Sequence, residues 1–331
     1  MKRNILTLTS TALLALGLVF VGCRRQDAPP SSAPKATIAI LNLQKHPILD
    51  AVEAGAKEAL AREGYPENAE GIRYLIRTAA GDKQQIPALA AELNAQHPDV
   101  VIAISTPIAQ AVVKNYRGKI VFGALTDPVS AGVISGDRNR NPNVTGTTDA
   151  VPYDAQLQLI RQISPRAKRL GILFNPGEAS SQYAVPRIKA AAPGLGFEIV
   201  EGAVNSTQEV YPVALGLASR VDALLISTDN TVAAGIAGAV KVGIERKLPV
   251  FACDSGSVEH GAIGAISPGY FAIGIDTGKL AARMLKGESG LAVVNPKAGD
   301  VYLNRRAATD MGAEIPKDVE ARAAKIYDEI R

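Results

Sequence analysis

Short apolar runs alternate along the chain with longer stretches in which apolar residues recur every three or four positions. Thr37–Leu43, Val100–Ile104 and Ile120–Leu125 are such runs, and Ile72–Thr78 supplies another strand of similar length. Five to seven residues rich in Val, Ile and Leu suit strands buried on both faces. Between them the spacing predicts helices. One starts at His46-Pro47 and puts Leu49, Val52, Ala56 and Ala59 on one face, a second spans Ile86–Gln96, and Pro107 opens a third. Strands alternating with helices imply right-handed βαβ units and a parallel sheet. Asp137–Thr147, rich in Asn, Pro and Gly, reads as a surface loop leading to an interdomain crossing.

A second series follows. Helices are expected at Tyr153–Ile163, Ser180–Ala192 (interrupted by Pro186), Tyr211–Ser219 and Thr231–Arg246. Strands are expected at Arg169–Phe174, Glu198–Val204, Ala223–Ser227 and Val250–Cys253. Ala262–Ser267 and a helix Ile273–Lys286 would complete the first domain. Val301–Asn304 and a C-terminal helix Pro316–Ile330 would return to the second. The fold class is α/β, with two doubly wound lobes forming a hinged clamp whose cleft is lined by the turns after the strands. Residues 36–148 plus 256–290 are assigned to the first lobe, and 149–255 plus 291–331 to the second.

The first 22 residues stand outside this pattern. Lys2 and Arg3 precede an apolar segment, Ile5–Val21, and small residues then lead to Cys23, which is the form of a secretory signal peptide. Val21-Gly22-Cys23 resembles a bacterial lipobox, with Phe20 where Leu is most often found. Cys23 is therefore expected to be the lipidated first residue of the mature chain, on a polar, Pro-rich tether that ends at Lys35. The alternative is a plain signal peptide cleaved nearby. Cys253, the one other cysteine, then has no intrachain partner, so no disulfide staples the fold. Loss of residues 1–22 takes the formal charge from +4 to +2. That balance, without a basic run interleaved with aromatics, gives no argument for a nucleic-acid partner.

The three histidines, His46, His97 and His260, lack zinc-ligand spacing, so no metal is expected. No GxSxG elbow, phosphate-binding GxxxxGK[ST] or complete GxGxxG occurs, so neither a catalytic nucleophile nor a cofactor is expected. Gly194-Leu195-Gly196 reads as a helix-to-strand turn. The spaced Gly269, Gly274 and Gly278 read as close helix packing. More informative are the polar groups at strand ends: Asn42 and Gln44, Ser105-Thr106, Thr126-Asp127, Asn175 with Ser180-Ser181, Thr228-Asp229-Asn230, and Asp254. In a doubly wound sheet these face one cleft. Hydroxyls and helix N–H groups hold a carboxylate, and Asp carboxylates hold an ammonium, so the set suits a zwitterion such as an amino acid. Asp, Asn, Ser and Thr commonly close strand-to-helix turns, so at least half of these residues are expected to be caps, with or without a ligand. Asp127 and Asp229 are the foremost ligand candidates, with Asp229 as counter-charge to a carboxylate at Ser105-Thr106.

Several stretches then match one known family in order: His46-Pro47-Ile48-Leu49-Asp50, Thr126-Asp127-Pro128-Val129 with Ala131-Gly132, Asn143-Val144-Thr145-Gly146, Asn175-Pro176-Gly177-Glu178, Asp229-Asn230, and Tyr270 through Gly274 and Gly278. The chain resembles the ABC-transporter substrate-binding proteins that include tryptophan- and tyrosine-binding lipoproteins. The resemblance implies a type I periplasmic-binding-protein fold with a three-crossing hinge and one small ligand in the cleft. It also implies delivery to a membrane permease with its ATPase, and action as an extracytoplasmic, lipid-anchored monomer. It places the Ser105-Thr106 and Asp229-Asn230 turns around the backbone of an amino acid, usually aromatic, and Thr145 and Asn175 in the matching stretches are counted as further ligand-binding candidates. Ser180-Ser181 stands where the family often has Asn-Ser, which leaves the ligand's identity open. Tyr153 and Tyr183 are candidates to stack on an aromatic ligand or to pack in the core. The competing classes are a sensing module that presents its bound form to a receptor and, against the missing nucleophile motif, a secreted hydrolase.

Overall fold

In the computed structural model, residues 35–136, 141–296 and 299–331 are described. The expected signal peptide, Cys23 and nearly all of the tether lie outside the described residues.

The first lobe is built from β1 (Ala36–Asn42), α1 (Pro47–Arg62), β2 (Ile72–Thr78), α2 (Ile86–Gln96), β3 (Val100–Ile104), α3 (Thr106–Asn115), β4 (Ile120–Leu125) and β5 (Val144–Thr148). Its sheet is parallel in the order β2-β1-β3-β4-β5. β1, β3, β4 and β5 are buried along their whole length, as helices on both faces require. β5 corrects the sequence reading, which placed all of Asp137–Thr147 in a loop. Its Val-Thr-Gly-Thr-Thr carries too little apolar signal to stand out, and it is held by pairing with β4.

The second lobe continues with α4 (Tyr153–Ile163), β6 (Arg169–Phe174), α5 (Ala179–Ala191), β7 (Glu198–Ala203), α6 (Val210–Leu217), β8 (Ala223–Ile226), α7 (Asn230–Ala234), α8 (Ile236–Arg246), β9 (Val250–Ala252) and α9 (Ser255–Glu259). Its sheet is parallel in the order β7-β6-β8-β9. The helix expected over Thr231–Arg246 is two helices, because the chain bends at Gly235 between α7 and α8.

β10 (Gly264–Ser267) departs from the expected assignment to the first lobe. The Ile263 N–H donates to the Val250 carbonyl at 2.7 Å, and Ala262, Ile263, Ala265 and Ile266 belong to the second core. α10 (Tyr270–Leu285) then packs on the first core. The seam between α1 and α10 is close. A Cβ on Gly274 would lie 2.3 Å from the Val52 carbonyl oxygen, and one on Gly278 2.4 Å from that of Ala56. Only glycine permits this approach. Gly269, read with them, instead caps the start of α10.

β11 (Asp300–Asn304) and α11 (Arg305–Met311) return to the second lobe, β11 pairing antiparallel with β10. The expected C-terminal helix Pro316–Ile330 is another correction. Only α12 (Lys317–Glu320) is helical, and β12 (Ala323–Tyr327) pairs parallel with β11. The exposed face of Ala323–Tyr327 mimics an amphipathic helix end, but edge pairing wins. The result is two hydrophobic cores. The chain passes between them three times, after residues 144, 266 and 291. Among the described residues no helix is long and apolar enough to cross a membrane.

Candidate functional site

Strand ends from both lobes converge on one cavity. Gln44, His46, Ile48, Leu49, Thr106, Ala124, Thr126, Asp149 and Tyr270 line it from the first lobe and the crossings. Ser180, Thr228, Asp229, Asn230, Ala233 and Asp254 line it from the second. It encloses about 40 Å³ of space open to the centre of a water molecule. The pocket as a whole, including its part open to solvent, spans about 470 Å³ of empty space, and the two lobes touch across it.

Cross-lobe contacts hold this state. Lys83 Nζ donates to Glu178 Oε1 at 2.8 Å and to Thr231 Oγ1 at 3.0 Å. Gln44 Nε2 donates to the Asn230 carbonyl at 3.4 Å. The His46 and His260 rings stack with centroids 6.2 Å apart.

The second-lobe wall is a saturated hydrogen-bond network. Glu178, only 3% exposed, accepts from Thr231 N and Oγ1, from Asn230 N and Nδ2, and from Ser180 Oγ. Burial alone would raise its carboxyl. The Lys83 ammonium and these hydrogen bonds outweigh burial and hold it below the usual value. Asp229 caps α7 by accepting from Val232 N at 2.8 Å, and its other oxygen accepts from Asn175 N at 2.6 Å and Ser181 Oγ at 2.5 Å. Burial, with Glu178 nearby, pushes Asp229 up to about 6. Asp254 caps α9, taking Ser257 N at 2.7 Å and Ser257 Oγ at 2.6 Å.

The first-lobe side is unsaturated. Among the described residues, Asn42 Oδ1, both His46 ring nitrogens, Ser105 Oγ and Asp149 Oδ1 are buried without a hydrogen-bond partner. Burial, opposed by Asp254, holds the His46 imidazole below its ordinary value. Burial pushes Asp149 up to about 6, against hydrogen bonds from Thr126 and Tyr270. Ser105, after β3, and Ala124, within β4, carry left-handed φ values of 87° and 50°. Such backbone is costly for residues other than glycine and clusters at functional sites.

Of the residues singled out from sequence, Thr106, Ser180, Asp229, Asn230 and Asp254 line the cavity. Asn175 and Ser181 stand behind Asp229 and bond to it, Ser105 sits at the N-cap position of α3 in front of Thr106 without a side-chain capping bond, and Asn42 ends β1. Asp127 lies elsewhere, with its Oδ1 taken by Ser130 N at 2.6 Å in a turn. Thr145 Oγ1 donates to the Ala292 carbonyl between two crossings. Neither stacking candidate lines the cavity. Tyr153 is buried with its hydroxyl 3.1 Å from Thr228 Oγ1, and Tyr183 packs under the Arg187 guanidinium at 3.4 Å. Tyr270 is the aromatic residue that does line it. The reading of strand ends missed Asp149 because β5 was taken for a loop, and it used His46 only as a helix start. Among the described residues no cluster of three His, Cys, Asp or Glu can hold a metal ion.

Two parallel α/β lobes, three crossings and a cleft at the strand ends define a type I periplasmic binding protein. The chain belongs to the ABC transporter substrate binding protein family, which it matches over residues 37–327. It is 30% identical to a tyrosine-binding protein of Clostridioides difficile, over 98% of this chain and 99% of that one. It superposes on the L-Trp complex of an ABC domain from Streptococcus pneumoniae with a TM-score of 0.84 and 29% identity, covering 88% of this chain and 99% of that chain. Against the ligand-free, open structure of a Clostridium difficile substrate binding protein with adhesive properties, the TM-score is 0.68 at 31% identity, covering 89% of this chain and 100% of that chain.

Proposed function

We propose that this substrate-binding protein takes an amino acid, aromatic in its side chain, into the interlobe cavity and hands it to a membrane permease of an ABC importer. The observation that carries the reading is the cavity's chemistry. Among the described residues, Asp149, Asp229 and Asp254 line it without a lysine or arginine, beside the hydroxyls of Thr106, Ser180 and Thr228 and the apolar Ile48, Leu49, Ala124 and Ala233. Acidic groups suit an ammonium, neutral donors at the starts of α3 and α5 suit a carboxylate, and the apolar surface with Tyr270 suits a ring. The relatives named for tyrosine and crystallised with L-Trp support the same class.

Binding and closure are one equilibrium. A ligand touching both walls stabilises the closed state by its differential affinity for that state. Calorimetric titration of the purified protein with L-tyrosine, L-tryptophan and the remaining amino acids tests the reading. Saturable binding of one aromatic amino acid is expected, and heats no larger than dilution for both tyrosine and tryptophan would overturn it. A lipid anchor at Cys23 follows from the lipobox, with the tether spacing the lobes from the membrane. Mass spectrometry of the mature N-terminus checks it, since an unmodified Cys23 sinks the anchor.

A further inference from the structure

Three carboxylates line the cavity, and they differ in what they have left to offer. Asp229 already accepts three hydrogen bonds from its own lobe, from Val232, Asn175 and Ser181. Asp254 accepts two from Ser257, one on each oxygen. Both are committed to capping short helices and bracing turns. Asp149 is different. It is 7% exposed, its Oδ2 accepts a long hydrogen bond of 3.4 Å from the Tyr270 hydroxyl, Thr126 is a second weak neighbour, and its Oδ1 has no hydrogen-bond partner among the described residues. A buried carboxylate oxygen without a donor is costly and is retained where something else supplies the donor.

We propose that Asp149, on the crossing that follows β5, is the group that receives the ligand's ammonium, with the Tyr270 hydroxyl fixing the orientation of its carboxylate. This rests on the amino-acid reading above and moves the counter-charge from Asp229 to Asp149. An ammonium has three donors and no acceptor, so it matches an oxygen that lacks a donor. The position on a crossing also matters. Asp149 lies where the chain passes between the cores, so a ligand held there meets both lobes as they close. Because no lysine or arginine among the described residues lines the cavity, the ligand's carboxylate meets neutral donors there. The amine is therefore the dominant polar determinant of recognition.

The test compares L-tyrosine with its analogue lacking the amine, 3-(4-hydroxyphenyl)propanoate, on the wild-type protein and on Asp149→Asn. L-Tryptophan and indole-3-propanoate replace them where tryptophan is the ligand that binds. Wild type is expected to bind the amino acid at least about thirtyfold more tightly than the amine-free analogue. Asp149→Asn is expected to lose about that factor for the amino acid while holding the analogue within about threefold of wild type. Equal loss for both ligands, or amino-acid affinity within threefold of wild type in a folded Asp149→Asn, overturns the assignment and leaves the amino-acid reading standing. Wild type that discriminates less than threefold between the pair overturns it too, whether or not the variant folds. Failure of wild type to bind either aromatic amino acid overturns the functional reading itself, and the assignment falls with it.

Discussion

The two walls of the cleft are built on opposite plans. On the second lobe, Glu178, Asp229, Asn175, Ser181 and Thr231 hold one another, and the Glu178 and Asp229 carboxylates are fully engaged. On the first-lobe side, Asn42, His46, Ser105 and Asp149 carry buried polar atoms without partners, and Ser105 and Ala124 sit in strained backbone. A saturated network is rigid and specifies its own shape. An unsaturated one keeps hydrogen-bonding capacity in reserve at a cost in stability, which is what a site for a polar ligand requires. One wall is thus a stop against which closure is made, and the other is the surface that reads the ligand.

The comparison is most exposed at Asp229. Asp229→Ala leaves Asn175 N, Ser181 Oγ and Val232 N without their acceptor, and is expected to destabilise the protein by about 3–5 kcal/mol in urea unfolding without ligand. A loss under 1 kcal/mol together with abolished binding would make Asp229 a ligand group and end the distinction between the walls.

Asp149→Asn has the opposite sign. The folded protein holds the Asp149 proton more tightly than the unfolded chain does, since burial pushes its carboxyl up to about 6 from the ordinary 3.8. Its favourable contribution is therefore complete below about pH 4 and is lost as pH rises through about 6. Near pH 7 the ligand-free Asn variant should be more stable than wild type by about 2–3 kcal/mol, with the gap closing towards pH 4. Parallel melting curves of the two proteins across that range check it, and a gap that grows in acid contradicts it.

The smallest expected effect is at Ser105. Ser105→Gly removes a buried hydroxyl without a partner among the described residues and relieves φ of 87°. Stability should rise by about 1 kcal/mol, less any entropy that glycine adds to the unfolded chain. A destabilised glycine variant would show that the Ser105 hydroxyl is bound inside the protein after all, and would move it to the saturated group.

The alternation of apolar runs and 3.6-residue patterns made nearly all of the βαβ series legible, because strands buried on both faces cannot hide their Val and Ile content. Where the pattern fails, local signal and tertiary pairing disagree. β5 is five residues of mostly Thr and Gly, recruited by β4, and β12 is an edge strand whose outward Lys and Glu neighbours resemble a helix face. The candidate site was legible as a list of strand-end polar residues. The list could not separate caps from residues with capacity to spare, since Asp127, Asp229 and Asp254 satisfy the same cap chemistry. Asp149 was hidden with β5, and the bare nitrogens of His46 become visible only once the second lobe covers them.

The contacts that close the cleft have a kinetic corollary. With Lys83 on Glu178, Gln44 on Asn230 and His46 stacked on His260, an aromatic molecule has to pass between lobes that touch. Every arrival and every departure must therefore wait for the lobes to part, and the observed association rate levels off at the rate of that parting as ligand concentration rises. Residence time then belongs to the clamp as much as to the ligand, so two ligands of different affinity can leave on one clock.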